Sequence, residues 1–270
     1  MTSKLKLVLV STPVGYLGSG KGGGVELTII SLIKGLLNLG HQLVLVAPEN
    51  SFLHDLGPDL EITLVKGVPQ PSWQHQEASS PVLIPPDGVL PRLLGKALDE
   101  VQQADAILNF SYDWLPIWLT PFLKAKLFHL VSMGAVSDAM QSVIKDFPIE
   151  YQNRLAFHTH RQASDYELMK DPVVVGNGFE LTNYDFQISG EGTLGWAGRV
   201  APEKGLEDAV AVAASLGDRL LVWGLIEDKE YAASVEASVP PGTIDWRGFL
   251  PTFEFQKQLG TCRAFINTPK

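Results

Sequence analysis

The segment GRVAPEKG, residues 198–205, carries two cations at a defined spacing. Arg199 lies just past a predicted strand and Lys204 just before a predicted helix, so both cations flank one strand end. Preorganised arginine and lysine can neutralise a departing diphosphate, and they can do so without a metal ion. Pro202 and Gly205 restrict the shape of the loop. An ordinary surface turn with solvated charges is the alternative that these residues leave open.

A glycine-rich loop, VGYLGSGKGGGVE at 14–26, joins the first predicted strand to the first predicted helix. Glycines at such a junction let backbone N–H groups approach a phosphate, and the helix N-terminus adds partial positive charge. Gly18, Gly20 and Gly23 satisfy the dinucleotide pattern G-x-G-x-x-G, but Glu49 lies too far along the chain to hold a ribose in the usual way. A glycine turn needed only for tight strand–helix packing is a further interpretation.

Two other phosphate motifs compete for the same loop. Gly15, Gly20 and Lys21 match the start of a P-loop, although Gly22 stands where a Ser or Thr hydroxyl should contact magnesium. The third motif is the GGxE of nucleotide-sugar transferases, formed by Gly23, Gly24, Val25 and Glu26.

Aromatic side chains are concentrated after the predicted strand ADAILNF. Phe110, Tyr112, Trp114 and Trp118 could stack on a planar ligand, and Asp113 could accept hydrogen bonds from its amino groups. A helix packed beneath a sheet edge has the same composition, and the aromatic spacing alone does not choose between the two.

The histidines and the single cysteine give weaker signals. His129 lies within an apolar strand, where a histidine is usually a core or rim residue, and it is kept as an acceptor-side candidate. His158 and His160 are expected on one face of a strand without a third ligand, so no metal site is predicted. Cys262 lacks the base that a nucleophile needs and is expected to be a small buried side chain.

The elements that must position these residues follow a strand–helix rhythm typical of parallel α/β domains. Strands without polar alternation belong to sheets covered on both faces. A first domain at 1–185 is predicted to contain about seven strands, and a second at 186–270 repeats the strand–helix alternation with about four strands. Pro-, Ser- and Gln-rich residues at 68–88 predict a mobile loop, a candidate lid on the acceptor side. The predicted strands are 5–13, 42–48, 61–65, 104–110, 126–132, 155–160 and 171–176, then TLGWAG, RLLVWG, TIDWRGF and RAFIN.

Composition excludes several classes of protein. The 270 residues contain 21 Lys and Arg against 30 Asp and Glu, a net charge of -9 that disfavours nucleic acid as a partner. One cysteine permits no internal disulfide, and no apolar run reaches the roughly 18 residues of a membrane span. We therefore expect a cytoplasmic protein without a secretory signal.

Five segments together resemble the retaining family 4 glycosyltransferases, which have the two-domain GT-B architecture. Three further segments look like the cyanobacterial members that use UDP-glucose and tetrahydrobiopterin, namely 11–28, 109–122 and 129–137. The five family segments are GGGVE at 22–26, VVVGNGFEL at 173–181, LGWAGRVAPEKGLEDAV at 194–210, LLVWG at 220–224 and WRGFLP at 246–251.

The resemblance implies a GT-B fold, transfer of glucose from UDP-glucose to a pterin side-chain hydroxyl with retention, and no cofactor. It implies front-side transfer with the leaving phosphate as base, so positioning and electrostatics do the chemistry. Many members have a histidine near the donor sugar where Ser132 stands here. The implied roles are Arg199 and Lys204 at the donor diphosphate, Gly248 and Phe249 at the uracil, Gly23 and Gly24 at the sugar and phosphates, and Tyr112, Asp113, Trp114 and His129 at the acceptor.

The family's E-x7-E segment, whose glutamates grip the donor sugar and ribose, would begin just after Lys270. The resemblance therefore implies a chain truncated within its second domain, with low or no turnover. Two rival functions remain, an NAD(P)-dependent oxidoreductase built on the glycine loop and a non-catalytic nucleotide-binding module.

Overall fold

The computed structural model describes two compact units, residues 1–179 and 180–270. The division falls slightly before the boundary expected after residue 185. No helix in the described ranges is long and apolar enough to cross a membrane. The described residues are 3–19, 23–53, 58–73, 76–123, 126–179, 181–188, 190 and 192–270.

The first unit is built on a sheet of seven strands in which all neighbouring pairs are parallel. They are β1 (Lys6–Val10), β2 (Gln42–Pro48), β3 (Leu60–Val65), β4 (Ala106–Asn109), β5 (Leu127–Val131), β6 (Leu155–Phe157) and β7 (Val173–Val174). Their order across the sheet is β3-β2-β1-β4-β5-β6-β7, so the direction of winding reverses between β1 and β4. Open parallel sheets bind ligands outside the carboxyl ends of their strands at such a reversal.

Helices cover both faces of this sheet. Val8 and Val10 of β1 lie in an apolar cluster with α2, whereas Leu7 and Leu9 lie in a second cluster with α1. Burial on both faces explains why the strands are continuously apolar. The helices are α1 (Gly24–Asn38), α2 (Val89–Asp99), α3 (Trp114–Leu119), α4 (Asp138–Lys145) and α5 (His160–Ala163), with 3-10 turns at Thr120–Phe122 and Ile149–Arg154.

Short polar side chains mark where several helices begin. Ser137 accepts a hydrogen bond from the N–H of Met140 at the start of α4, and Thr159 accepts one from Gln162 at the start of α5. These caps satisfy N–H groups that a helix leaves without partners in its first turn.

The second unit has a parallel sheet of four strands in the order β10-β9-β8-β11. Trp196 and Val222 of its central strands are buried with Val210 in one apolar cluster. The strands are β8 (Leu194–Ala197), β9 (Leu220–Trp223), β10 (Ile244–Gly248) and β11 (Ala264–Phe265). The helices are α6 (Leu206–Leu216), α7 (Lys229–Ala237) and α8 (Thr252–Leu259), with 3-10 turns at Leu181–Asn183 and Pro202–Lys204.

All eleven predicted strands are present, but two local predictions are wrong. The strand expected over 155–160 ends at Phe157, and His160 opens α5 behind the Thr159 cap, so His158 and His160 do not share a strand face. Cys262 is half-buried rather than buried.

The loop at 68–88 is anchored at several described positions, and its predicted mobility stays a prediction. The N–H of Gln70 donates to the carbonyl of Pro13 at 2.9 Å, and the N–H of Asp138 donates to the carbonyl of Ala78 at the same distance. Trp73 is buried. The loop thus carries side chains back into the body of the first unit.

Three strands of the second unit reach glycines at their carboxyl ends. Gly224 has a φ of 139°, and its N–H donates to the carbonyl of Gly248 at 2.9 Å. A Cβ atom on Gly224 would lie 1.8 Å from the carbonyl oxygen of Gly198. We call Gly198, Gly224 and Gly248 the glycine edge, and at Gly224 only backbone fits.

We predict that Gly224→Ala destabilises the second unit far more than Gly242→Ala. Both glycines have a positive φ, which costs about 1 kcal/mol or more for alanine, but Gly242 has open space around it. The overlap with a backbone oxygen at Gly224 should add a further ~1–3 kcal/mol. Hydrogen exchange of β8–β10 amides measures the difference, and equal effects of the two substitutions would contradict the steric argument.

Candidate functional site

The cationic loop, residues 198–205, follows β8 at the carboxyl edge of the second sheet. Its backbone is joined to the loop that follows β9. The N–H of Val200 donates to the carbonyl of Leu225 at 2.8 Å, and the N–H of Asp228 donates to the carbonyl of Val200 at 3.2 Å. These bonds hold the backbone next to Arg199 in a fixed position.

The end of the cationic loop requires glycine on two counts. Gly205 has a φ of 60°, which residues other than glycine rarely adopt. A Cβ atom there would lie 2.1 Å from the carbonyl oxygen of Thr268. The hydroxyl of Thr268 also donates to the carbonyl of Gly205 at 2.7 Å, so this close approach fixes the backbone at Lys204, just before α6.

The guanidinium of Arg199 lies between two carboxylates. Its Nη1 is 2.5 Å from Oε2 of Glu227, and its Nη2 is 2.9 Å from Oε1 of Glu203. Only 20% of the Arg199 side chain is exposed, against 46% for Glu203 and 26% for Glu227. Sequence reasoning did not predict either partner. Paired charges of this kind orient a partly buried guanidinium and offset its loss of hydration.

Lys204 differs from Arg199 in its surroundings. Across the described ranges its ammonium has neither an ion-pair partner nor a hydrogen-bond partner, and the side chain is half-buried. It is therefore a cation available to an anionic ligand.

Four of the predicted donor-site residues meet at one edge of the second unit. Arg199 and Lys204 belong to the cationic loop, Gly248 ends β10 in the glycine edge, and Phe249 follows it with an exposed ring. Because parallel strands have their carboxyl ends on one side, cations, bare backbone and an aromatic ring share that side. Such a combination suits a nucleotide diphosphate chemically.

In the first unit, Gly23 and Gly24 form the start of α1. Gly23 precedes the helix with a φ of 64°, and no side chain caps the helix. A Cβ atom on either glycine would meet no atom of the described residues within 4 Å, the immediate chain neighbours aside. Gly20, Lys21 and Gly22, on which the dinucleotide and P-loop interpretations depend, lie outside the described residues.

Glu26, the acidic residue of the GGxE motif, is buried and turned back onto the glycine loop. Its Oε2 accepts a hydrogen bond from the N–H of Gly18 at 2.7 Å, and its Oε1 accepts one from the Ser19 hydroxyl at 3.2 Å. Glu26 therefore stabilises the shape of the loop, and its position in the first helical turn also suits the helix dipole. The sequence signal for this role is a glutamate two residues after a glycine run at a helix start.

Asp113 is a fully buried helix cap. Its Oδ1 accepts from the N–H of Leu115 at 3.0 Å, and its Oδ2 accepts from Nε2 of Gln70 at 3.4 Å. Burial raises the pKa of this carboxyl, while the hydrogen bonds from Leu115 and Gln70 oppose the rise. Gln70, which lies on the anchored loop, is a neighbour that sequence reasoning missed.

Tyr112 lies in the interior, and Trp114 and Trp118 lie nearer the surface. The Tyr112 hydroxyl is 3.0 Å from the Tyr166 hydroxyl, and Trp73 Nε1 donates to the Tyr112 carbonyl at 2.6 Å. Burial raises the pKa of Tyr112 to about 12. Trp114 is half-buried and Trp118 is 53% exposed, so these two rings are the ones that can meet a planar ligand.

His129 is buried, and the protein occupies both of its ring nitrogens. Asn109 Nδ2 donates to Nδ1 at 3.1 Å, so Nε2 carries the proton and donates to the Thr120 hydroxyl at 2.7 Å. That hydroxyl in turn donates to the Pro116 carbonyl. Burial, helped by the charge of Arg154, lowers the pKa of His129 to about 3. In this arrangement His129 can influence a ligand only through its neighbours.

In the part of the chain that the structure describes, no group of three His, Cys, Asp or Glu side chains could hold a metal ion.

Comparisons with known proteins identify the fold and no closer relationship. No family model matches the chain, and no curated protein matches it. Solved glycosyltransferases do match in structure, among them AviGT4 and WaaB. AviGT4, involved in avilamycin A biosynthesis, matches with a TM-score of 0.62 at 18% identity, over 97% of this chain and 69% of its own. WaaB, a lipopolysaccharide outer core galactosyltransferase in its apo form, matches with a TM-score of 0.55 at 12% identity, over 99% of this chain and 74% of its own.

The chain therefore has the Rossmann-like α/β fold of GT-B glycosyltransferases, as predicted. At sequence identities of 18% and 12%, the likeness to these two structures shows the fold alone.

We predict that His129 makes the first unit sensitive to acid. Its pKa is lowered in the folded state, so its contribution to stability is complete above about pH 6.5 and is lost as the pH falls towards 3. Between pH 7.5 and 5.0 the wild type should lose ~2 kcal/mol more unfolding free energy than His129→Gln. Urea titrations at both pH values measure this difference.

His160→Gln is the matched control, because His160 is exposed at the start of α5, and it should keep the wild-type response. An NMR titration of the His129 ring in the wild type provides a second check, since the ring should stay neutral at pH 5. Protonation near pH 6.5, or equal losses in all three proteins, would contradict the prediction.

Proposed function

We propose that this chain is a glycosyltransferase that takes a nucleoside-diphosphate sugar as donor, with Arg199 and Lys204 binding the diphosphate. The observation that supports the proposal is the cationic loop beside the glycine edge. As the bond between the anomeric carbon and the phosphate oxygen breaks, negative charge grows on that oxygen. Cations held in advance near it stabilise the charge without reorganisation, so the proposed reaction needs no metal and no cofactor.

The proposal can be narrowed to UDP-glucose as donor and the side-chain hydroxyl of a pterin such as tetrahydrobiopterin as acceptor. Its support is the resemblance of residues 11–28, 109–122 and 129–137. The acceptor oxygen forms a bond to the anomeric carbon on the face from which UDP leaves, and its proton passes to the leaving phosphate. The products are a glucosylated pterin with retained configuration and UDP.

On the acceptor side, exposed aromatic rings support the proposal better than the buried groups. Trp114 and Trp118 offer faces on which a planar pterin can stack. Asp113 can accept hydrogen bonds from the pterin only if Gln70 moves away, because the carboxylate is fully buried beneath that contact.

We predict that Lys204→Ala weakens UDP binding by about 10- to 100-fold, the range for a lost hydrogen bond to a charged group. Lys204 gives the sharper test because no other described group depends on its ammonium. Arg199→Ala should also weaken UDP binding. This substitution is the less direct test, because it also leaves the carboxylates of Glu203 and Glu227 near the phosphates without Arg199. Calorimetric titration with UDP, UDP-glucose and NADH measures these effects.

Arg219→Ala is the matched control, because Arg219 precedes β9 at the opposite edge of the sheet and pairs with Asp245. It should leave UDP affinity unchanged. Tight NADH binding that does not depend on Arg199 or Lys204 would instead support a nucleotide-dependent oxidoreductase.

The acceptor is tested by its own titration. Tetrahydrobiopterin should bind the wild type, and Trp114→Ala should weaken that binding by about 5- to 10-fold, the range expected when one stacked ring is lost. Exposed Phe253 of α8 provides a control ring in the second unit, and Phe253→Ala should have no effect. In any glucosylated product, NMR should find the anomeric configuration of the donor, and the inverted configuration would contradict the proposed mechanism.

A further inference from the structure

We propose that Glu203 and Glu227 control the anion affinity of Arg199 in opposite directions. Glu227 is a positioning residue that holds the guanidinium in place, whereas Glu203 competes with the bound diphosphate for it. The inference rests on the proposed function, because it takes the cationic loop to be an anion site.

The surroundings of Glu227 support a positioning role. It follows β9 on a loop that is bonded to the backbone on both sides of it, through Leu225 and Asp228 to Val200. Its carboxylate makes the shorter contact to Arg199, 2.5 Å, and is the less exposed of the two. A short pair between two fixed backbone segments restricts the rotamers of the arginine, so less conformational entropy is lost when a ligand binds.

Glu203 has the opposite properties. It lies on the 3-10 turn Pro202–Lys204, one residue before Lys204, with 46% of its side chain exposed and a contact of 2.9 Å to Arg199. Exposed ion pairs contribute little to stability because water screens them. An incoming diphosphate can therefore displace this carboxylate, and until it does so the carboxylate repels the phosphates.

The other acidic side chains nearby already have separate roles. Asp228 caps α7 by accepting from the N–H of Tyr231, and Glu207 is bonded to Tyr231 and to Lys270. Among the described acidic side chains, Glu203 and Glu227 are the ones paired with Arg199, and we assign the control of its anion affinity to them.

The test compares Glu203→Gln with Glu227→Gln, two substitutions that remove the same charge and nearly preserve shape. Each is titrated with UDP and with inorganic pyrophosphate at low salt. Glu203→Gln should tighten binding of both probes by about 2- to 5-fold, because a competitor is lost. Glu227→Gln should weaken binding by about 5- to 10-fold, because the guanidinium loses its fixed orientation. A role limited to folding would weaken binding in both variants.

Glu236→Gln is the control for net charge. Glu236 lies exposed near the end of α7, away from the carboxyl edge of the sheet, and its substitution should leave both affinities unchanged. Glu203→Gln and Glu236→Gln change exposed side chains and should unfold near the wild-type temperature, whereas Glu227→Gln should lower it. All titrations are therefore run well below the unfolding temperature of Glu227→Gln, so that affinity changes report on the site.

The two probes separate this inference from the proposed function. If pyrophosphate binding shows the opposite responses but UDP does not bind, the inference holds and the proposed function fails. If UDP binds through Arg199 while both variants change affinity in the same direction, or Glu203→Gln has no effect, the inference fails alone. If neither probe binds with dependence on Arg199, both fail.

Discussion

The pairing of Arg199 with two carboxylates is the interaction on which the carboxyl edge of the second unit depends. A guanidinium with only 20% of its side chain exposed loses much of its hydration, and nearby carboxylates compensate for that loss. The backbone bonds around Val200 bring the loops after β8 and β9 close enough for the pairing to form. The glycine edge complements it, because side chains at Gly224 would push those strand ends apart. The ion pairs of Arg199 and the close backbone approach at Gly224 therefore both hold the ends of β8 and β9 together.

The first unit stabilises its carboxyl edge by a different means, a chain of neutral hydrogen bonds. Asn109, the last residue of β4, bonds to His129 in the middle of the neighbouring β5, and the Ser111 hydroxyl donates to the carbonyl of Ser11 at 2.8 Å, just after β1. The bond between Ser111 and Ser11 crosses the reversal point between β1 and β4, where a ligand is expected in this class of sheet. Since these groups satisfy one another, they form the framework of the site and leave ligand contacts to more exposed side chains.

Sequence reasoning predicted the strands because their physical signal is local. A parallel strand covered on both faces must be apolar along its whole length, and QLVLVAP at 42–48 is a strand with those same bounds. Arg199 and Lys204 were also recognisable, because a loop with Pro202 and Gly205 between a strand and a helix is a local pattern. Glu227 was not, since its contact with Arg199 exists only through the pairing of β8 with β9. Gln70 and Trp73 were missed for a similar reason, because their loop is polar in composition and only the fold brings it back to α3.

The titratable groups of the first unit bear on the kind of chemistry that the fold can support. A general base works best when its pKa lies near the working pH. The pKa of His129 is about 3 and that of Tyr112 about 12, both moved away from neutrality by burial. The pKa of Asp113 moves towards neutrality, yet its oxygens accept hydrogen bonds from Leu115 and Gln70 in a fully buried position. None of these three groups is therefore arranged to take a proton from an acceptor hydroxyl, which agrees with a mechanism in which the leaving phosphate takes it.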